Sequence, residues 1–443
     1  MKVQPRKTFA QVPFLDFLRR ALEIVKNPLP FHHDNFEKKG DTFQLNLGFG
    51  NKIVFSRNAS FLQYVLQKNQ KNYTKSKVQT RDLAKYIGQG LLTAEGAHWK
   101  RQRKLIQPTF HKKHLTQLLG IMHETINEEL SKIPVGKKVD IEPYFGRLAF
   151  QVVAKSLFSG AVDENTISRL QEIVEATQKM LVKELRQPYL GWWFKGSGLI
   201  RKHFSMVAEA RQTIESLIVQ RKNNKASKGD LLDMLLDARY DDGSAMEMNQ
   251  MIDEILILFI AGHETTSNAL TFVCQLLARH TTYQDLIFEE NNIAAYEDDM
   301  TQLMGQKITK QVLEEAMRLY PPAYFIDRTN YEEDIFEGTV IPPATPLLFS
   351  VIEIHHSEKY WEDPEKFMPE RFEGQPNQHS GYYFPFGAGP RMCIGNNFAM
   401  FEMQLVISEL LKKFTISSNQ KTIEILPLIT LKPKNAILEF KSR

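Results

Sequence analysis

The sequence predicts a mainly helical fold with a smaller β region, and three observations carry that expectation. From Ser60 onward most segments place apolar residues at helical spacing, as at Leu62, Tyr64, Val65 and Leu66, and again at Leu118, Leu119, Ile121 and Met122. One early stretch, Phe43 to Phe55, instead alternates apolar and polar residues around Gly48-Phe49-Gly50-Asn51, the pattern of a hairpin with a glycine-containing turn. After Pro321-Pro322, Thr339 to Ile341 and Pro346 to Ile352 read as strands between proline turns.

At 443 residues the chain can bury a large core. One domain over residues 1–443 is expected, with β structure near residues 40–60 and 323–352 and in C-terminal strands, and a helical body elsewhere. The polar stretches Asn223 to Gly229 and Asp241-Asp242-Gly243-Ser244 read as surface loops of that domain rather than linkers. Hydrophobic residues at 42% and charged residues at 24% exclude disordered and fibrous classes. A net charge of +4 without a long Lys/Arg tract speaks against a nucleic-acid partner. Cys274 and Cys393 are too few and too distant for a disulfide framework, so a reducing, cytoplasmic setting is expected. The N-terminal Met1-Lys2-Val3-Gln4-Pro5-Arg6-Lys7 opens no apolar run of signal-peptide or membrane-span length, so no membrane span is expected.

Taken in chain order, the first element with chemistry is Gly96-Ala97-His98-Trp99-Lys100-Arg101-Gln102-Arg103. Trp99 and Arg103 stand one helical turn apart, so an indole N–H and a guanidinium can grip one anion, although the same spacing suits any amphipathic helix. Lys100, Arg101 and Lys104 project from other faces, and with Lys112 and Lys113 they form a basic patch suited to steering an acidic partner or simply to meeting solvent.

The most apolar run, Ile255 to Ala261, leads into Gly262-His263-Glu264-Thr265-Thr266 within a helix built on Ile252, Ile255, Leu256, Phe259 and Ile260. Glycine and two threonines are poor helix formers there, and local violations of this kind mark function more often than a mere kink. Gly262 leaves room for a small ligand, the Thr265 hydroxyl can bond back to a carbonyl, and Glu264 with Thr265 makes an acid and alcohol pair.

Glu315 and Arg318 stand at i and i+3, and Arg371 follows in Pro369-Glu370-Arg371-Phe372. Arg328, after Tyr324-Phe325-Ile326-Asp327, is a further candidate anion donor, with a plain surface arginine as the alternative. The densest motif comes last. In Phe386-Gly387-Ala388-Gly389-Pro390-Arg391-Met392-Cys393-Ile394-Gly395 a cysteine sits in a glycine-rich turn, two residues after an arginine and just before a helix running from Asn397 to Leu411. Arg391, the bared N–H groups near Gly389 and Gly395, and the helix N-terminus would together favour the thiolate over an inert thiol.

The spacing of Phe386, Gly389, Arg391, Cys393 and Gly395 resembles the haem-binding signature of the cytochrome P450 family, and the other elements recur in that family's order along nearly the whole chain. The resemblance implies the P450 fold, with haem buried between the oxygen-binding helix and the cysteine-loop helix. It implies Cys393 as the iron ligand, Trp99, Arg103 and Arg328 as propionate partners, and Glu315, Arg318 and Arg371 as a buried network supporting the cysteine loop. Gly262, Glu264 and Thr265 then match the oxygen-activating motif, in which the acid and alcohol relay protons to dioxygen.

The implied enzyme is a soluble, bacterial-type, monomeric monooxygenase carrying haem b (iron protoporphyrin IX), with O2 as co-substrate. It would hydroxylate a C–H bond of a small organic substrate such as a fatty acid or terpenoid, and hydroxylation beside an ether oxygen would give O-demethylation. Only 50 residues follow Cys393 and none resembles a flavin or iron–sulfur domain, so electrons from NAD(P)H are expected through a separate ferredoxin and ferredoxin reductase. The family's pocket positions fall on Val78 to Gln89, Leu181 to Phe194, Ile257 to Thr265, Ala323 to Ile326 and Leu428 to Thr430. Among these, Pro188-Tyr189-Leu190-Gly191-Trp192-Trp193-Phe194 reads as a lid, a membrane-touching tip or core packing. A peroxide-driven peroxygenase and a non-oxygenating haem-thiolate protein are the alternatives.

Overall fold

A computed structural model describes residues 7–224, 228–293, 298–374 and 378–443. Contacts gather into two compact units, because the early strands pair with the late ones while the intervening helices pack among themselves. The first unit comprises the chain up to Lys77, Glu315–Cys393 and Ile425–Lys432, and the second comprises Val78–Glu314, Ile394–Glu424 and Pro433–Arg443.

The first unit is organised on a six-stranded sheet, in the order Ala10–Val12, Thr42–Gly48, Asn51–Ser56, Pro346–Ser350, Phe325–Asn330 and Tyr73–Thr74. The expected hairpin is its second and third strands, paired antiparallel from Thr42↔Ser56 to Gly48↔Asn51 with a register shift near the turn. Alternation does what the pleat requires: Phe43 and Leu45 are buried, and the Phe43 ring stacks on Phe55 at 5.3 Å between centroids. Parallel pairing of Val54–Ser56 with Leu347–Phe349 joins early to late chain. The expected strand Pro346 to Ile352 stops at Ser350, because the Ser350 hydroxyl accepts the Glu353 N–H and caps a short helix, Val351–His355.

The second unit centres on a 30-residue helix, Met248–Leu277. Its Ile252, Ile255, Leu256, Phe259 and Ile260 are buried as their spacing demands, and Phe259 stacks on Phe150 of the helix Glu142–Phe158 with centroids 4.9 Å apart. The helix Glu164–Arg186 is capped by Asp163, whose side chain accepts the N–H groups of Asn165 and Thr166. The helix after the cysteine motif runs Asn396–Lys413 and is buried along most of its length. A small sheet orders Phe414–Ser417, Ile437–Ser442 and Lys138–Asp140, and the last of these, like Ala10–Val12, is too short to show alternation in sequence. Of the polar stretch Asn223 to Gly229, Asn223 and Asn224 finish the helix Leu199–Asn224, and residues 225–227 lie outside the described residues, as do the first six residues of the chain.

Candidate active site

The cysteine loop is built by backbone bonds in the first unit. The Cys393 N–H donates to the Phe386 carbonyl at 2.9 Å, Gly387 N–H to Phe384 O at 3.1 Å, and Met392 N–H to Gly389 O at 3.0 Å. A 3-10 turn spans Gly389–Arg391. Gly389 has φ +69°, and a Cβ there would stand 2.0 Å from the Leu66 carbonyl oxygen, so only glycine lets the loop lie against the π-helical turn Tyr64–Lys68. Phe386 and Arg391 are half-buried and Cys393 is exposed. The contrast with Cys274 is chemical: that residue is wholly buried, and desolvation pushes its thiol well above the usual range. Of the two sulfurs, only that of Cys393 is exposed. The helix Asn396–Lys413 begins three residues later, and its N-cap residue Gly395 offers no side chain to the first turn.

What holds the loop is a buried polar network in the same unit. Arg318 is fully buried and forks onto Glu315, with Nε to Oε2 at 2.7 Å and Nη2 to Oε1 at 2.8 Å. Its remaining N–H groups reach the carbonyls of His355 and Pro364, each at 2.7 Å, and of Lys366 at 3.1 Å. Arg371 Nε lies 3.4 Å from Glu315 Oε1, which also accepts the Met368 N–H at 2.9 Å. His355 then carries the network toward the cysteine: its Nε2 accepts the Phe384 N–H at 2.9 Å, two residues before Phe386. Burial pushes the His355 imidazole down to about 3, so it serves as a neutral link. Glu315, Arg318 and Arg371 thus meet as the family resemblance implies, whereas His355 carried no signal in a chain of 12 histidines.

Arg328 sits mid-strand in Phe325–Asn330, and its Nη1 donates to the Asp327 carbonyl at 2.6 Å. A Cβ on Gly387 would lie 4.0 Å from Ile326 Cδ1, so this strand runs beside the cysteine loop. Two expected pocket segments also join here: the Tyr324 hydroxyl donates to Leu428 O at 2.6 Å, and Leu431 N–H to Pro322 O at 2.9 Å.

In the second unit, Thr265 Oγ1 donates to the Ala261 carbonyl at 2.8 Å, the backward bond that the sequence suggests. Glu264 Oε2 accepts from Gln178 Nε2 at 2.9 Å, a partner from Glu164–Arg186 that no motif announced. His263 is buried, its Nδ1 2.7 Å from the Phe259 carbonyl. A Cβ on Gly262 would meet Val153 Cγ2 at 3.0 Å, so the missing side chain lets Glu142–Phe158 pack close at this point.

Trp99 and Arg103 lie half-buried on one helix, Gly96–Ile106, and Arg103 Nε donates to Gln107 Oε1 at 3.2 Å. On the other faces the basic patch is partly neutralised: Lys104 pairs with Asp241 at 2.7 Å and Arg101 with Asp242 at 3.0 Å, while the Arg101 guanidinium lies 3.8 Å from the Tyr240 ring centroid. Two more pocket segments are tied together where Lys85 and Tyr86 both bond Glu184 at 2.7 Å. The aromatic stretch divides, with Phe194 buried and Tyr189, Trp192 and Trp193 exposed.

The family model described as cytochrome P450 matches residues 12–440. The chain belongs to the cytochrome P450 family. The P450 is 29% identical over 434 residues to a cytokinin hydroxylase of Arabidopsis thaliana, covering 94% of this chain and 83% of that protein. It is 30% identical to echinocystic acid 23-monooxygenase of Saponaria officinalis (83% and 76% covered) and 27% identical to cyclooctat-9-en-7-ol 5-monooxygenase of Streptomyces melanosporofaciens (90% and 85% covered). The crystal structure of the cytochrome P450DA heme domain superposes with a TM-score of 0.86 at 20% identity, over 99% of each chain, which establishes the P450 fold. The protein is accordingly a P450 monooxygenase, of a family that uses haem, O2 and a redox partner. The loop suits a haem, with an exposed cysteine sulfur on a backbone braced by Phe386, Leu66 and the Arg318–His355 network. Among the described residues, no helix of the P450 is long and apolar enough to cross a membrane.

Proposed function

We propose that residues 1–443 serve one haem b, that Cys393 would hold its iron as a thiolate, and that the enzyme hydroxylates a C–H bond of a small, largely apolar organic substrate. The observation that carries this reading is the exposed Cys393 on a loop whose backbone is fixed by Phe386, Leu66 and the Arg318–His355 network. When bound, the haem supplies activation of dioxygen for insertion into a C–H bond. Arg391 would favour the thiolate, Phe386 and Gly395 frame the loop, and Trp99, Arg103 and Arg328 would hold the propionates. Thr265, oriented by the Ala261 carbonyl, holds a proton at Oγ1, and Glu264, steadied by Gln178, delivers protons toward it. Gly262 acts by admitting Val153 and so fixing the position of this helix.

The names of the relatives favour a terpenoid over a fatty acid, and O-demethylation of a methoxy substrate follows from the same chemistry. A soluble ferredoxin and its reductase, drawing on NAD(P)H, are the proposed electron source for a cytoplasmic, monomeric enzyme. The test is the spectrum of the reduced, CO-bound protein, followed by NADPH consumption with ferredoxin and reductase. The long-wavelength band of a thiolate-ligated haem is expected, and the band of an imidazole-ligated haem overturns the assignment of Cys393. Coupled turnover that survives Thr265→Ala overturns the proton relay.

A further inference from the structure

The turn Gly88–Leu91 closes the segment Val78–Ile87 and is gripped by two consecutive carboxylates of the long helix, all within the second unit. Asp253 Oδ2 accepts the Gln89 N–H at 2.8 Å, and Glu254 Oε2 accepts the Leu91 N–H at 2.9 Å. Gln250, one turn earlier, ties both sides, with Nε2 2.7 Å from Gln89 O and 2.9 Å from Glu254 Oε1. His98 Nε2 lies 3.2 Å from the same Gln89 carbonyl, and Arg211 of Leu199–Asn224 pairs with Asp253. The turn is shaped to this grip. Gly88 has φ +80°, and a Cβ there would stand 2.1 Å from the Asp253 carboxylate. A Cβ on Gly90 would stand 2.6 Å from Glu254 Oε2 and 2.7 Å from Ile257 Cδ1. Neither position accepts a side chain without displacing the turn or the carboxylate that grips it.

We propose that Asp253 and Glu254 are positioning residues: together they clamp the Gly88–Leu91 turn, fix how close Val78–Ile87 stands to the long helix, and open that segment to substrate when released. The proposal rests on the reading that Val78 to Gln89 lines the substrate pocket. The clamp is one of two anchors, since Lys85 and Tyr86 hold the segment to Glu184 on its other side.

The clamp has a proton handle. Burial, with a smaller push from the neighbouring Asp253 charge, raises Glu254 to about 7, against the opposing bonds from Leu91 and Gln250. The other charged or titratable groups around it are Arg211, bonded to Asp253, and His98, at the Gln89 carbonyl. A closed clamp therefore binds a proton more tightly than an open, hydrated Glu254 of ordinary value. Raising the pH from about 4.5 to about 7 favours opening, by up to about tenfold per unit.

The test is amide hydrogen exchange on the haem-loaded protein at pH 5, 6 and 7, expressed as protection factors so that intrinsic base catalysis cancels. Protection at Gln89 and Leu91 should fall by several-fold per unit in the wild type and should be flat with pH in Glu254→Gln. Gly90→Ala, which removes no charge, should lower protection at least tenfold at every pH and raise the association rate of phenylimidazole with the haem. Wild-type protection independent of pH, or a Gly90→Ala variant as protected as wild type, overturns the clamp. An unchanged phenylimidazole rate in a deprotected Gly90→Ala variant overturns the link to substrate access. The reduced CO spectrum of the same samples reports the haem reading separately, so failure of one proposal is not mistaken for failure of the other.

Discussion

The Phe384 N–H donates to Nε2 of His355 at 2.9 Å, and Nδ1 of the same ring faces the Arg318 carbonyl at 3.2 Å. With Nε2 accepting, Nδ1 must carry the proton, so a neutral ring joins the buried arginine to the cysteine loop. Burial holds His355 down at about 3, whereas the unfolded chain takes up its proton near 6.5. The stability this supplies is present above the unfolded value and is lost as pH falls toward 3, at up to about 1.4 kcal/mol per unit. His355→Phe should cost about 1–3 kcal/mol at pH 7, because the Phe384 N–H loses its partner. By urea unfolding, the gap to wild type should narrow at pH 5. An equal gap at both pH values would contradict the neutral link; His32, also pushed to about 3 by burial, retains its own slope in both proteins.

Arg318 makes five contacts that a lysine cannot copy, two to Glu315 and three to carbonyls. Arg318→Lys should destabilise by about 3–5 kcal/mol, the range for breaking one side of a buried pair. Because His355 and Phe384 stand between this network and Cys393, the variant should also retain less thiolate-ligated haem than a surface control such as Arg19→Lys. Denaturant unfolding and the reduced CO spectrum measure the two effects.

What could be read from sequence was what repeats locally. The cysteine motif, the Trp99 and Arg103 turn, and the Thr265 back-bond each depend on residues within one helical turn or one loop, so spacing exposes them. Val153, Gln178, Leu66 and His355 act across long chain separations through packing or single bonds, and no periodicity marks a residue that meets a glycine or a backbone N–H from another element. The hairpin showed because both strands alternate, while Ala10–Val12 and Lys138–Asp140 are three residues each and show nothing. The same limit explains Gly262: its helix-breaking character flagged the position, but only the fold reveals Val153 opposite.

Gly262→Ala should therefore act through Val153. The new methyl at 3.0 Å from Val153 Cγ2 makes Val153 or its helix give way, with an expected cost of about 1–3 kcal/mol. Val153→Ala alone should cost about 1–2 kcal/mol for its cavity. If the contact is the cause, the double variant is more stable than the sum of the two losses, with a coupling of at least about 0.5 kcal/mol in thermal or urea unfolding.

The acids opposite the basic helix set a further expectation. Lys104 and Arg101 are paired to Asp241 and Asp242 beside a cleft of about 890 Å³, so the patch presents less positive charge than its sequence suggests. Replacing Asp241 and Asp242 by Asn should raise the rate of reduction by an acidic ferredoxin about three- to tenfold at low ionic strength and steepen its salt dependence. A rate and salt slope equal to wild type would remove this helix from the donor's path.

Glu402 gives the sharpest pH test of the helix that follows the cysteine. It is fully buried, neither carboxyl oxygen has a hydrogen-bond partner among the described residues, and desolvation raises its pKa well above the ordinary value. The folded protein therefore keeps a proton here that the unfolded chain releases above about 4.5. Stability from this group is full below that value and declines as pH rises toward the folded pKa, at up to about 1.4 kcal/mol per unit. Glu402→Gln has nearly the same shape and no proton to lose. Its melting temperature relative to wild type should be similar near pH 4.5 and should rise as the pH climbs above that value. A difference that stays constant across that range would mean that Glu402 is ionised in the fold, with a partner that stabilises its charge.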